Sequence, residues 1–478
     1  MSGDLARQAM TVLHPGYEGA STPDWMRRAL GEGLGGVVLF ARNVIDAQLV
    51  RNLRAENPDA VISIDEEGGT VTRLEVLAGS SSPGNRALGV VDDTSLTERV
   101  ARQIGRMLGE LDITLNYAPD ADVNSNPANP VIGVRSFGPT ADLVSRHTVA
   151  YVNGVQGAGV AACAKHFPGH GDTVTDSHLD LPTVHASREE FLARDLPPFR
   201  AAIGAGVRAV MSGHLLIPAL DPSLPATLSR TVMTELLRDE LGFDGMLVTD
   251  AIEMRAVAAM FSPGEIAVRA LNAGVDAICV GICTEEIVYE VRDAIVAAVR
   301  AGDLPEERLA EAAGRVRALS EWYAGQAALR DKARGDVDRR VGLEAARAAL
   351  TTSGTATLDR GPLIIEVNTR HNKAVDPSTP TGITAALTAE LPNTARLQLE
   401  PAAELPDLRD DERPVVLVVH DAARHAWVRE TVARAVAMRP DVIVVDTGIP
   451  APPGEAVHVA THGISRVSAQ AAAEWLTR

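Results

Sequence analysis

Three cysteines in 478 residues, Cys163, Cys279 and Cys283, are too few for a disulfide framework and too scattered for a four-ligand zinc site. Each falls in an apolar run, which predicts small buried core residues in a reducing compartment. The Cys279-x3-Cys283 spacing would allow a metal or redox pair, but nothing beside it supports one. Positive charge is also scarce. The 45 Lys and Arg face 63 Asp and Glu, a formal net charge of −18, and that surplus repels nucleic acid and anionic membranes alike. No apolar stretch approaches the roughly 20 residues of a membrane span. The first residues, MSGDLARQAMTVLHPGYEG, lack the apolar segment of a secretory signal. No nucleic-acid or membrane partner is expected, and a soluble, cytoplasmic protein is. Repeats are missing too, and bias is confined to Ala-rich helical stretches.

What is present suffices for a large core: 46% of the residues are hydrophobic and 23% charged. The length exceeds the usual single domain of about 100–200 residues, so a large domain plus a smaller one is expected. Short apolar runs without alternation recur at 11–13, 37–40, 61–64, 115–118, 160–164, 209–212, 247–249 and 277–280. Such runs suit strands of a parallel sheet buried on both faces. Amphipathic stretches at 96–111, 188–203 and 230–241 lie between several of them. The pattern predicts an α/β protein, a (β/α)8 TIM-type barrel over residues 1–335, with an open doubly wound sheet as the alternative. A long helical segment is expected over 305–349, its charged patch at 330–340 a solvated face. A helical linker at 336–351 leads to a smaller α/β sandwich-like C-terminal domain over 352–478. That domain has strands at 363–367, 415–419 and 442–445 and a helix around 422–437.

Ionisable residues collect just beyond the strands. Ile64 runs into Asp65, Ala164 into Lys165-His166, Ser212 into Gly213-His214 and Thr249 into Asp250, and the fourth strand leads to Asp120 and Asp122. In a barrel these ends converge on the face where active sites are built. The densest segment is KHFPGHGDTVTDSH, Lys165 to His178. Its glycines and proline forbid a helix, and it packs three of the chain's 12 histidines beside Lys165, Asp172 and Asp176. A divalent metal is one reading of that set. Lys165 beside the cation and a spacing unlike zinc motifs oppose it. The other reading is a substrate-gripping Lys-His pair plus an Asp-x-His dyad.

KHFPGHGDTVTDSH resembles the signature of the bacterial β-N-acetylglucosaminidases of glycoside hydrolase family 3. SIDEEGGTVTRL (63–74), NSNPANPVIGVRSFG (124–138), MSGH (211–214) and FDGMLVTDAIEM (243–254) resemble further family segments, in the same order. By that resemblance Asp250 is the nucleophile and His178 the general acid/base, with Asp176 as its partner. Asp65, Arg73, Arg135, Lys165 and His166 grip the sugar. No metal or cofactor is implied. The residue types suit the chemistry. A retaining glycosidase needs a carboxylate on one face of the sugar and a proton donor on the other. An imidazole with an ordinary pKa near 6.5 can give and take a proton near neutrality. The family often carries a second Asp after the nucleophile; here Ala251 and Ile252 follow it.

The implied reaction is removal of a terminal β-linked N-acetylglucosamine from muropeptides, chitin fragments or other oligosaccharides. Inorganic phosphate in place of water would make the enzyme a phosphorylase. An amino-sugar-binding protein without catalysis is a third possibility, which intact Asp250, Asp176 and His178 argue against.

Overall fold

The computed structural model describes residues 2–43, 45–177, 179–335, 338, 340–367, 373–401, 403–409 and 411–478. Eight parallel strands alternate with helices in the first two thirds: β1 (Leu13–Pro15), β2 (Gly36–Leu39), β3 (Val61–Ile64), β4 (Leu115–Asn116), β5 (Ala161–Phe167), β6 (Ala209–Ser212), β7 (Met246–Thr249) and β8 (Ile278–Val280). Strands β2 to β7 form one sheet in chain order, and β8 pairs with β1 through Leu13–Ile278 and His14–Cys279. A bridge between Val248 and Ala277 joins β7 to β8. Between β1 and β2 no ladder runs among the described residues. The sheet is thus an arc of six strands plus a pair.

Every residue of these strands is buried, which explains why the sequence shows apolar runs and no alternation. The two faces nonetheless carry different residues. Ile62, Ile64, Ala162, Ala164, Val210 and Leu247 pack outward in the large cluster shared with the helices. Val61, Ala161, Cys163, Ala209, Met211, Met246 and Val248 pack inward together. Successive side chains point to opposite faces, so the next inward position after Cys163 is Lys165 and after Val248 is Asp250. After Val61 the inward positions are Ser63 and then Asp65. The inner core therefore ends in ionisable groups at one rim. All three cysteines are buried and unbonded, as expected.

Local sequence sets the helix limits. The expected helix at 188–203 is two, Arg188–Arg194 and Pro197–Gly204, because Pro197 and Pro198 cannot donate and so start a new helix. Ser187 and Glu190 form a capping box at the first. The long segment at 305–349 is likewise broken, into Glu306–Gly325, Ala327–Gly335 and Val341–Ala349. Its charged patch is not uniformly solvated. Arg330 is buried, its guanidinium 3.7 Å over the Tyr323 ring and bonded to the carbonyls of Tyr323 and Gly159.

The C-terminal part contains β9 (Thr351–Ser353), β10 (Leu363–Val367), β11 (Ala395–Leu399), β12 (Val415–Val419), β13 (Ile443–Asp446) and β14 (Val457–Ala460) in the order β11-β10-β12-β13-β14-β9. All pairs are parallel except β14 with β9. Ile365, Leu417 and Val444 meet Val428 and Ala435 of helix Ala426–Met438 on one face. Ile364, Val416 and Val445 meet Leu387 and Leu476 on the other. This is one doubly wound sheet between helices. The expected linker at 336–351 includes helix Val341–Ala349, which packs on Val467 and Ala471.

The two parts touch. Arg466 pairs with Glu75 at 3.1 Å and its amide donates to Ser80 O. Arg424 donates to the carbonyl of Asn129 at 3.4 Å. Among the described residues no helix is long and apolar enough to cross a membrane.

Candidate active site

A cavity of about 490 Å³ opens where the inward residues of the parallel sheet end. Asp65, Arg73, Arg135, Lys165, His166 and Asp250 all line it, although they are spread over 186 positions of sequence. Asp176 is buried beside Ser177, which also lines it. His178 lies outside the described residues.

Charge at the floor is paired. Lys165 Nζ lies 2.6 Å from Asp65 and 2.7 Å from Glu67. Glu67 also accepts from Arg135 Nη2 at 2.7 Å and Nε at 3.0 Å, a bidentate arrangement. Burial alone would raise the Glu67 carboxyl, but Arg135 and Lys165 outweigh it and hold it well below the ordinary carboxylate range. Lys165 and Arg135 are correspondingly held in their charged forms, since the carboxylates overcome the effect of burial.

Glu66, one residue earlier, does different work. Its carboxylate accepts from the amides of Arg73 at 2.8 Å and Leu74 at 3.0 Å. That closes the turn through Gly68 and Gly69, whose φ angles of 84° and 61° suit glycine. Burial raises Glu66 to about 7. Arg73 emerges from this turn into the cavity, where its Nε is buried without an acceptor among the described residues.

Asp122 organises the segment after β5. It accepts from His166 Nδ1 at 2.7 Å, from the His166 amide at 3.2 Å and from the His170 amide at 2.6 Å. His166 therefore turns its Nε2 toward the cavity, 3.5 Å from Arg135. His170 is locked between Thr173 Oγ1 at 2.8 Å and Ser177 Oγ at 3.2 Å, and burial lowers it to about 4. Asn129 adds its side chain to the carbonyl of His170. The Lys165–His166 and Phe167–Pro168 peptide bonds are cis.

Asp250 is fixed from three sides. Its amide donates to Ser212 O at 3.0 Å, and its Oδ1 accepts from the Ala251 amide at 2.8 Å. His214 bridges Thr227 Oγ1 and Ala251 O, bracing the chain just past the carboxylate.

Asp120, Asp122 and His166 offer donor atoms within 4.8 Å of one another, a possible cation cage. The local charge opposes a metal ion there. Asp122 is committed to His166, and Arg135 stands 3.9 Å from Asp120. Burial, and behind it Asp122, push the Asp120 carboxyl well above its ordinary range.

Sequence reasoning missed Glu67 as a site residue and left Asp120 and Asp122 without roles.

Residues 26–319 match the N-terminal domain of glycosyl hydrolase family 3. The chain belongs to glycosyl hydrolase family 3. As a family member it is 39% identical over 300 residues to Beta-hexosaminidase A of Pseudoalteromonas piscicida, covering 58% of this chain and 49% of that protein. It is 38% identical over 250 residues to Beta-hexosaminidase LpqI of Mycobacterium tuberculosis, covering 51% of this chain and 63% of that one. The chain thus spans from about half to somewhat under two thirds of these relatives. A glycoside hydrolase family 3 beta-N-acetylglucosaminidase from Paenibacillus sp. superposes with a TM-score of 0.85 at 34% identity, covering 99% of this chain and 96% of that one.

Proposed function

We propose that this family 3 protein is a retaining exo-β-N-acetylglucosaminidase, working through a glycosyl-Asp250 intermediate with His178 and Asp176 as the acid/base dyad. The observation that carries the reading is the meeting of a braced Asp250 with Asp65, Arg73, Arg135, Lys165 and His166 around one cavity. In this reading the eight parallel strands act as a (β/α)8 barrel whose rim bears the site.

Asp65 and the cations Arg73 and Lys165, with His166, hold the terminal sugar by its hydroxyls. An Asp250 oxygen attacks C1 as the C1–O bond to the leaving group breaks. His178 gives its proton to the departing oxygen, and Asp176 steadies the imidazolium. Water then gives a proton to His178 and attacks C1, releasing Asp250. Substrates are oligosaccharides ending in β-linked N-acetylglucosamine, such as muropeptides or chitin fragments, and a role in wall recycling follows.

Asp250→Asn preserves shape and removes the nucleophile. Turnover of 4-nitrophenyl N-acetyl-β-glucosaminide should fall below one thousandth of the wild-type rate, on the order of what loss of a covalent nucleophile costs. Near-normal turnover by this variant would overturn the assignment, as would an initial α-anomer product in NMR of the wild-type reaction.

A further inference from the structure

The cavity is completed by a piece of the C-terminal part. Lys373, Asp376 and Pro377, from the connection that follows β10, line it opposite the parallel sheet. The strand order places β10 at the switch point of its sheet, with β11 on one side and β12 on the other. Open α/β sheets bind ligands beyond the strand ends at such a point. Here the connection leans onto the neighbouring cavity. Val375 is buried and shares a second, smaller recess with Thr70 and Val131 of the N-terminal part. A turn in which Asp376 accepts from the amides of Ser378 and Thr379 fixes the next residues.

Lysine is rare in this chain, with Lys165, Lys332 and Lys373 its only instances. Two of the three face the cavity, and they differ in state. Lys165 is buried and neutralised by Asp65 and Glu67. Lys373 is exposed and has no hydrogen bond or ion pair to another described residue. The other cation at the outer wall, Arg42, is spent on Glu18, the carbonyls of Tyr17 and Gly281, and the Phe40 ring. Carboxylates at this rim are Asp376, which serves its turn, and Glu253, which accepts from the amides of Gly281 and Ile282. Lys373 is therefore a cation at the cavity mouth that no other described residue engages. In an exo-acting site the floor takes the terminal sugar, so the mouth takes whatever is attached to it.

We propose that Lys373 forms a leaving-group subsite that recognises an anion, a carboxylate or phosphate at the aglycone side of the scissile bond. This rests on the N-acetylglucosaminidase reading and adds the class of substrate preferred. The anion has two possible sources: an acidic leaving-group sugar, or inorganic phosphate entering in place of water.

The test compares wild type with Lys373→Met and Lys373→Arg on two disaccharides, N-acetylglucosamine β-1,4-linked to N-acetylmuramic acid and to N-acetylglucosamine. For an acidic leaving group, Lys373→Met should lower the ratio of kcat/KM for acidic over neutral disaccharide about tenfold, as for one charged hydrogen bond. Lys373→Arg should restore most of it, and added salt should shrink the wild-type ratio. For phosphate, the disaccharide ratio should hold while 10 mM phosphate speeds wild-type turnover and yields sugar 1-phosphate. The phosphate oxygen then bonds to C1 as the Asp250 ester breaks and its proton passes to His178, and Lys373→Met should lose that acceleration. An unchanged ratio together with no Lys373-dependent phosphate effect would overturn the proposal. Calorimetric binding of both disaccharides, and of phosphate, to Asp250→Asn protein reads the same subsite without turnover. A catalytically silent wild type would thus refute the enzyme reading while leaving the subsite testable.

Discussion

Replacing Glu67 by Gln removes one negative charge and almost no volume from a position that serves two cations. The carboxylate meets Lys165 at 2.7 Å and Arg135 at 2.7 and 3.0 Å, with all three side chains at 4% exposure or less. Taking one partner from a buried ion pair costs about 3–5 kcal/mol, because the other charge is left behind. Two neighbours soften the loss. Asp65 still holds Lys165 at 2.6 Å, and Asp120, 3.9 Å from Arg135, can surrender the proton that burial favours. About 3 kcal/mol is therefore expected at pH 7, the low end of the range. Relief through Asp120 releases a proton, so the loss should be larger at pH 5.5 than at pH 8. Urea unfolding followed by tryptophan fluorescence gives the energy, and turnover in the same urea series shows whether the site fails first. Removing the stranded guanidinium as well should recover part of the loss, so Glu67→Gln with Arg135→Met should fall short of the sum of the single effects by at least about 1 kcal/mol. A loss below about 1 kcal/mol, equal at both pH values and additive with Arg135→Met, would refute the reasoning.

Asp122→Asn keeps the shape but weakens three hydrogen bonds that orient His166 and His170. It should lower kcat/KM about 10- to 100-fold with a rise in KM, the loss of one to two charge-assisted bonds; steady-state kinetics decide. His170 is lowered to about 4 by burial, so between pH 6.5 and 4 the unfolded chain binds a proton that the folded one refuses. Stability should therefore fall as pH drops through that window, by about 3 kcal/mol in all, and this contribution should be flat above it. His170→Gln should remove this slope from the urea midpoint; an unchanged slope would count against it. Arg424→Ala should leave the C-terminal sheet intact yet increase amide exchange in residues 170–177, readable by hydrogen–deuterium exchange.

The parallel strands were legible because each is buried on both faces, and strand positions such as Val61–Ile64 and Ala209–Ser212 coincide with the apolar runs. Edge strands were not. Only one of the five residues of β11 is fully buried, and β9 has none, so their sequences carry little apolar signal. Prolines 197 and 198 break a stretch whose apolar spacing is otherwise that of one amphipathic helix. The six rim residues Asp65 to Asp250 were legible through family segments, and strand parity turns three of them, Asp65, Lys165 and Asp250, toward one cavity. Glu67 and Asp122 escaped because their partners are remote: Arg135 is 68 positions from Glu67, and His166 is 44 from Asp122. No local pattern encodes such a pairing.

Asn129 ties its side chain to the His170 carbonyl while its own carbonyl receives Arg424. The segment leading to Asp176 is therefore gripped by a residue that is itself held from the second sheet. Chimeras that exchange the C-terminal part are constrained by this. A donor graft would have to bring a cation to the place of Arg424, as well as a compatible surface, or the recipient would fold with a slack segment before Asp176.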